Sequence, residues 1–262
     1  MQRLIQCILL LLGISACSGS ESPAIPESKP PSCDEGDFQA CTNEGVTAAE
    51  EGDPARAARL FEKACRGGAG IACQNRALLE YKGLTQPPDL TRARYWLGLG
   101  CEGKQGGSCR DLGVMLMDGE GGNADPTRAR RLFEKACELE DAPGCTSWGI
   151  SLLQGQGGPT DAVSARVALE KACTQKDPGG CAHLGRILAE GLGGPENAEA
   201  GFEHIQWACQ QSNDEGCAYL GILLAKGIGC KADLEQAIPL LAAGCEMGLD
   251  VSCESLKATQ RH

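Results

Sequence analysis

The sequence predicts an all-α protein: a right-handed α/α solenoid of about six helix-turn-helix repeats of 36 residues, stapled by disulfides. Three observations predict it. Cysteines stand eight positions apart in seven pairs: Cys33 with Cys41, Cys65 with Cys73, Cys101 with Cys109, Cys137 with Cys145, Cys173 with Cys181, Cys209 with Cys217 and Cys245 with Cys253. From Cys65 the first members recur every 36 residues, a period that signals stacked helical hairpins. The 262 residues include 17 cysteines and 36 glycines but only 4% aromatics, which suits thin helices packed on near neighbours rather than one large core.

In chain order, Met1-Gln2-Arg3 is a short positive stretch. Leu4 to Leu12 is an apolar run broken only by Gln6, too short to span a bilayer. Ile14-Ser15-Ala16-Cys17 then resembles a bacterial lipobox, with Ile14 where that pattern prefers Leu. The resemblance implies a lipoprotein signal peptide over residues 1–16 and an acylated Cys17 at the mature N-terminus. Ser18 after the lipidated cysteine resembles the sorting pattern for the outer membrane of diderm bacteria. An ordinary secretory signal cleaved near Ala16 is the alternative, and it would leave Cys17 a free thiol. Residues 17–32 read as the lipidated cysteine and its tether. Four prolines and five serines between Ser18 and Ser32 cannot bury enough apolar surface to order themselves. Residues 33–262 are the solenoid.

The unit from Cys109 to Cys145 shows how each repeat is built. Leu112 and Leu116 lie on one helical face, and Gly119 closes that first helix after about three turns. The same columns hold Trp148 and Leu152, Leu184 and Leu188, Leu220 and Leu224. Gly113, Gly149, Gly185 and Gly221 recur inside this helix, where glycine costs roughly 1 kcal/mol; close approach of a neighbouring helix is the expected reason. The loop Gly119-Glu120-Gly121-Gly122 has no preceding strand and no following Gly-Lys-Ser/Thr, so it reads as a turn rather than a phosphate cradle.

The second helix opens at Asp125-Pro126, a cap followed by proline at the first helical position. That cap recurs at Asp53, Asp89, Asp161, Asn197 and Asp233, again 36 apart. Ala57, Ala93, Ala129, Ala165, Gly201 and Ala237 form a small-residue contact column in this helix, and Ala64, Ala136, Ala172 and Ala208 form another. Pro239 departs from the pattern and should kink the last long helix. The paired cysteines join the end of one second helix to the start of the next first helix. Eight-residue spacing suits neither the zinc pattern Cys-x-x-Cys nor a thioredoxin-type redox pair, so structural disulfides are expected, outside a reducing cytosol.

Gly-x-Gly followed by Arg-Ala-Arg-x-Leu-Phe-Glu-Lys-Ala-Cys and Gly-Cys resembles the Sel-one-like repeat, a relative of the tetratricopeptide repeat. Cysteine on both sides of each junction makes the chain similar to the disulfide-bridged Helicobacter cysteine-rich protein group. The resemblance covers residues 33 to 258. The first unit is four residues shorter between Cys41 and Cys65, and the last, from Cys253, is a single helix. Cys230 replaces a loop glycine and has no partner in this scheme; it reads as an exposed free thiol, with an intermolecular bridge or thiol exchange as the alternatives.

In the related repeats the first helix lines the concave side. Positions two and nine after the second cysteine share one helical face there: Asn75 and Lys82, Asp111 and Asp118, Ser147 and Gln154, His183 and Glu190, Tyr219 and Lys226. This polar ladder is the candidate groove for a protein or peptide partner, with a merely solvated face as the alternative. Formal charge is −11, and −12 once Arg3 leaves with the signal, which argues against nucleic acid; the membrane is approached through the lipid.

No cofactor, metal or catalytic residue is expected. Of three histidines, His183, His204 and His262, no two have a ligand spacing. No Gly-x-Ser-x-Gly occurs, and no serine is followed three places later by lysine. The expected function is therefore a lipid-anchored scaffold at the cell envelope that binds protein or peptide. The Helicobacter-type resemblance implies a second possibility, weak β-lactam binding or β-lactamase-like hydrolysis.

Overall fold

The computed structural model describes residues 32–259, so the expectations for the signal peptide, for Cys7 and Cys17, for the tether and for His262 lie outside the described residues. A 3-10 turn at Cys33–Glu35 leads into thirteen α-helices. These are α1 (Phe38–Glu50), α2 (Pro54–Arg66), α3 (Gly70–Lys82), α4 (Leu90–Glu102), α5 (Gly106–Asp118), α6 (Pro126–Glu138), α7 (Ala142–Gln154), α8 (Ala162–Thr174), α9 (Pro178–Glu190), α10 (Ala198–Gln210), α11 (Asp214–Lys226), α12 (Leu234–Glu246) and α13 (Asp250–Thr259). Odd-numbered helices are the first of each hairpin and even-numbered ones the second, so the described residues form an α/α solenoid with no strands.

Helix ends fall where the caps place them. Asp53, Asp89, Asp125, Asp161, Asn197 and Asp233 each accept a backbone N–H three residues on. Gly119, Gly155, Gly191 and Gly227 close the first helices in the left-handed conformation, with φ between 67° and 76°. Asp141, Asp177 and Asn213 cap the first helices α7, α9 and α11 in the same way, a second cap column that lies inside the junction itself. The first hairpin turns in residues 51–53, against residues 119–125 in the third, which is where its four missing residues went. α12 runs unbroken through Pro239.

The core is a stack of small-against-large contacts. Phe61, Phe133, Leu169, Ile205 and Leu241 are buried at one column of the second helices. Each lies against a glycine of its hairpin's first helix: a Cβ on Gly113 would stand 2.6 Å from the Phe133 ring, and one on Gly185 would stand 2.6 Å from both Ile205 and the Gly201 carbonyl. The helical cost of those glycines is offset by burying a large side chain, roughly 2–3 kcal/mol at each.

Successive first helices touch one another, α3 to α5, α5 to α7, α7 to α9, α9 to α11 and α11 to α13, while successive second helices hardly approach. First helices therefore form the inner layer of the stack.

Every expected bridge is formed. Cys65 pairs with Cys73 between α2 and α3, Cys101 with Cys109 between α4 and α5, and Cys137 with Cys145 between α6 and α7. Cys173 pairs with Cys181 between α8 and α9, Cys209 with Cys217 between α10 and α11, and Cys245 with Cys253 between α12 and α13. Cys33 pairs with Cys41, and this bridge ties the 3-10 turn, rather than a complete second helix, to α1. The bridges are not equally enclosed. Cys73 and Cys109 are buried, whereas Cys209 and Cys217 are only half-buried, as are Cys245 and Cys253 at the end of the stack. Cys230 is free but half-buried, not fully exposed as expected, and burial pushes its thiol pKa up.

An arginine column links three of the second helices, α4, α6 and α8, to the next turn. Arg94 donates to the carbonyls of Met115 at 2.8 Å and Asn123 at 3.2 Å, Arg130 to that of Pro159 at 2.8 Å, and Arg166 to that of Pro195 at 3.2 Å. Arg94→Ala should cost about 1–2 kcal/mol in urea denaturation, because turn carbonyls that lose the guanidinium can rehydrate only in part. A loss within experimental error would show that these contacts decorate the junction without holding it.

Candidate functional site

The inner layer carries two clefts. The first, of about 450 Å³, opens between α3 and α5 with α4 as its floor; Ile71, Leu78, Tyr81 and Val114 form its apolar walls, and Asp111 and Glu120 sit at its rim. Those four apolar side chains remain 41–46% exposed, an unusual cost for large hydrophobes placed side by side. Rim polar groups are fixed by their neighbours: Gln74 Nε2 donates to Asp111 Oδ2 at 2.7 Å, and the Tyr81 hydroxyl donates to Glu120 Oε1 at 3.1 Å. The Glu120 carboxylate raises the Tyr81 pKa.

The second cleft, of about 370 Å³, lies on α9, α11 and α13 and is lined by Arg186, Glu190, Tyr219, Ile222, Lys226 and Val251 among others. His183 Nε2 meets Glu215 Oε2 at 3.2 Å, and the Tyr219 hydroxyl donates to Glu215 Oε1 at 2.9 Å. The hydrogen bond from His183 holds the Glu215 carboxyl below the usual carboxylate range, whereas burial, reinforced by Glu215, drives the Tyr219 phenol upward. Tyr219 is consequently a neutral donor, with the Arg186 guanidinium 5.9 Å from its ring centroid.

The sequence-derived ladder is distributed unevenly over this surface. Asn75 and Asp111 line the first cleft, and Glu190, Tyr219 and Lys226 line the second. Lys82, Asp118 and Gln154 are exposed, and the half-buried Ser147 hydroxyl turns back to the Pro143 carbonyl of its own helix. His183 is buried, because Glu215 and Tyr219 of the next repeat close over it; it is not an open rung. What the ladder missed is the column between its two rungs, Leu78, Val114, Arg186 and Ile222, five places after Cys73, Cys109, Cys181 and Cys217. An i, i+3, i+7 search for apolar as well as polar residues on that face would have found it.

Chemistry-bearing groups are few. Among the described residues no serine hydroxyl bonds to a histidine or lysine, and one Cys/His cluster exists: Cys173, Cys181 and His204. Both of its cysteines are bonded to each other. Neither cleft is lined by these groups; both combine apolar walls with charged residues.

Comparison with known proteins follows the same lines. The Sel1 repeat matches six times, at residues 43–68, 70–104, 107–141, 142–177, 178–213 and 214–249. A protective antigen present in uropathogenic Escherichia coli strains, displaying an SLR fold, superposes with TM-score 0.71 at 24% identity over 86% of this chain and 49% of that one. This chain thus spans about half the length of that protein. A Sel1 repeat protein from Oxalobacter formigenes gives TM-score 0.68 at 18% identity, over 78% of this chain and 84% of that one. Helicobacter pylori cysteine rich protein B gives TM-score 0.41 at 24% identity, over 55% and 96% of the two chains. At these identities the likeness is one of fold. No curated protein matches the chain.

Proposed function

The chain belongs to the Sel1 repeat family, whose members are scaffolds for protein contacts, and from that premise we propose that it is a lipid-anchored envelope scaffold that holds an extended segment of a partner protein on its inner layer. One observation carries the choice of surface: Ile71, Leu78, Tyr81 and Val114 stand together and exposed around a cleft with Asp111 and Glu120 at its rim. Apolar walls with an acidic rim fit a segment that offers aliphatic or aromatic side chains and a lysine or arginine beside them. The −11 net charge favours encounter with such a basic segment.

The seven bridges support an extracytoplasmic location, since thiols in a reducing compartment would stay open. The anchor rests on Ile14-Ser15-Ala16-Cys17 and the Ser/Pro-rich tether that follows. Its check is the intact mass of protein extracted from its own envelope: acylation on Cys17 supports it, and an unmodified mature N-terminus removes it.

The binding surface is tested with a photo-crosslinking residue placed at Leu78, at Val114, or at Val163 on the outer layer, where the native side chain is 64% exposed. The same partner should be captured from Leu78 and Val114 but not from Val163. Leu78→Asp together with Val114→Asp should reduce capture by about tenfold or more, with helical content unchanged. Equal capture from Val163, or capture indifferent to the two aspartates, would move the partner off this face.

A further inference from the structure

Of the seven bridges, Cys173–Cys181 has a neighbour unlike the rest. His204 Nδ1 lies 3.6 Å from Cys173 Sγ, reaching across the junction from α10. The corresponding positions of other repeats, 36 residues apart, hold Leu60, Trp96, Leu132, Ala168 and Leu240, none of which can ligate a metal. Cys173, Cys181 and His204 all border one open cavity on α8, α9 and α10, outside the two clefts described above, with Cys181 the most deeply set of the three. The three donor atoms lie within 4.8 Å of one another.

We infer that the dithiol form of this bridge is a zinc site, with Cys173 Sγ, Cys181 Sγ and His204 Nδ1 as its protein ligands and the cavity supplying the fourth position. Tetrahedral zinc with a thiolate at about 2.3 Å and an imidazole at about 2.0 Å places those atoms roughly 3.6 Å apart. Cys173 Sγ and His204 Nδ1 already have that separation. The two sulfurs, once freed, must part to roughly 3.8 Å, within reach of a side-chain rotation.

Cys181 sits in the first turn of α9, and its partner Cys173 lies near the end of α8, so two helix ends hold the sulfurs beside the His204 ring. Opening the site takes two electrons: a low-molecular-weight thiol attacks one sulfur, a second thiol resolves the mixed disulfide, and the bridge gains two protons while the thiols leave as their own disulfide. Zinc then displaces both thiol protons. The bridge is therefore coupled to two variables of the envelope, thiol potential and free zinc.

The test uses the whole chain in glutathione buffers of graded potential, with and without buffered free zinc, each bridge being read by differential alkylation and mass spectrometry. Zinc should raise the reduced-to-oxidised ratio of Cys173/Cys181 at least about tenfold, which is about 30 mV for a two-electron couple, while the other six ratios stay put. His204→Leu, which installs the residue found at positions 60, 132 and 240, should abolish the shift without changing helical content. Absence of any shift, an equal shift at all seven bridges, or a shift that survives His204→Leu overturns the assignment.

Discussion

Replacing Glu80 with leucine should destabilise the chain by about 3–4 kcal/mol, and replacing Arg76 and Glu80 together should recover nearly all of it. Arg76 Nη2 and Glu80 Oε1 are 2.6 Å apart on α3, with side chains only 6% and 2% exposed, and Arg92 Nη2 reaches the same oxygen at 3.0 Å from α4. Removing the carboxylate strands the Arg76 guanidinium between two helices. Arg92 suffers less, because its side chain is 45% exposed and can turn to water. The Trp96 ring, 5.4 Å from the Arg76 guanidinium, retains part of the stabilisation but is not a counter-ion. Other repeats show why the double change is tolerable: the same two columns hold Leu112 and Leu116, Leu184 and Leu188, Leu220 and Leu224, all buried or nearly so. Urea denaturation followed by helical signal and Trp fluorescence measures all three chains. A single variant that loses less than about 1 kcal/mol would mean that Arg76 finds water or another acceptor. A double variant as damaged as the single one would mean that the local backbone has been shaped around the charges.

That pair also marks where sequence reasoning stopped. The period of 36, the caps at Asp53 to Asp233 and the junction cysteines each repeat in register, so local chemistry and tertiary packing agree and either could be read from the other. The glycine column was legible for the same reason, although its partners, Phe133 or Ile205, were not named until the helices were seen face to face. Pairing of Cys65 with Cys73 and of Cys209 with Cys217 followed from spacing, but the deep burial of Cys73 and the partial exposure of Cys217 did not, since burial depends on how the neighbouring repeats close over each junction. Arg76 and Glu80 stand where later first helices carry Leu112 and Leu116, Trp148 and Leu152, or Leu184 and Leu188, and such a local departure from a repeat carries no periodic signal. His204 is likewise a single departure, and its contact with Cys173 crosses a junction at a separation of 31 residues, which no search for local His or Cys spacing covers. His183 could be placed on the correct helix but not at the correct depth, because its burial depends on Glu215 and Tyr219 one repeat later. Repetition made the frame legible; the exceptions to it hold most of the chemistry.

The middle and the end of the stack should respond differently to the loss of one bridge. Cys137→Ala with Cys145→Ala opens a nine-residue ring, worth about 2.6 kcal/mol in the chain-entropy account. Both sulfurs are buried there, between α6 and α7, and removing them takes away packing as well. In a linear stack each repeat is held by its neighbours, so weakening a central junction lowers the coupling between two multi-helix halves. The expected result is a lower urea midpoint and a broader transition, with faster amide exchange in α6 and α7 than in α2 and α3. The same change at Cys245/Cys253, both half-buried, releases only α13 from the end of the stack. Exchange should accelerate in α13 while the main transition stays within about 0.5 kcal/mol of the wild type. Equal losses for the two variants would assign the stabilisation to ring closure in the unfolded chain alone, which is indifferent to position along the stack. Unequal losses in the stated direction would place it at the repeat junction, where the fold needs its coupling.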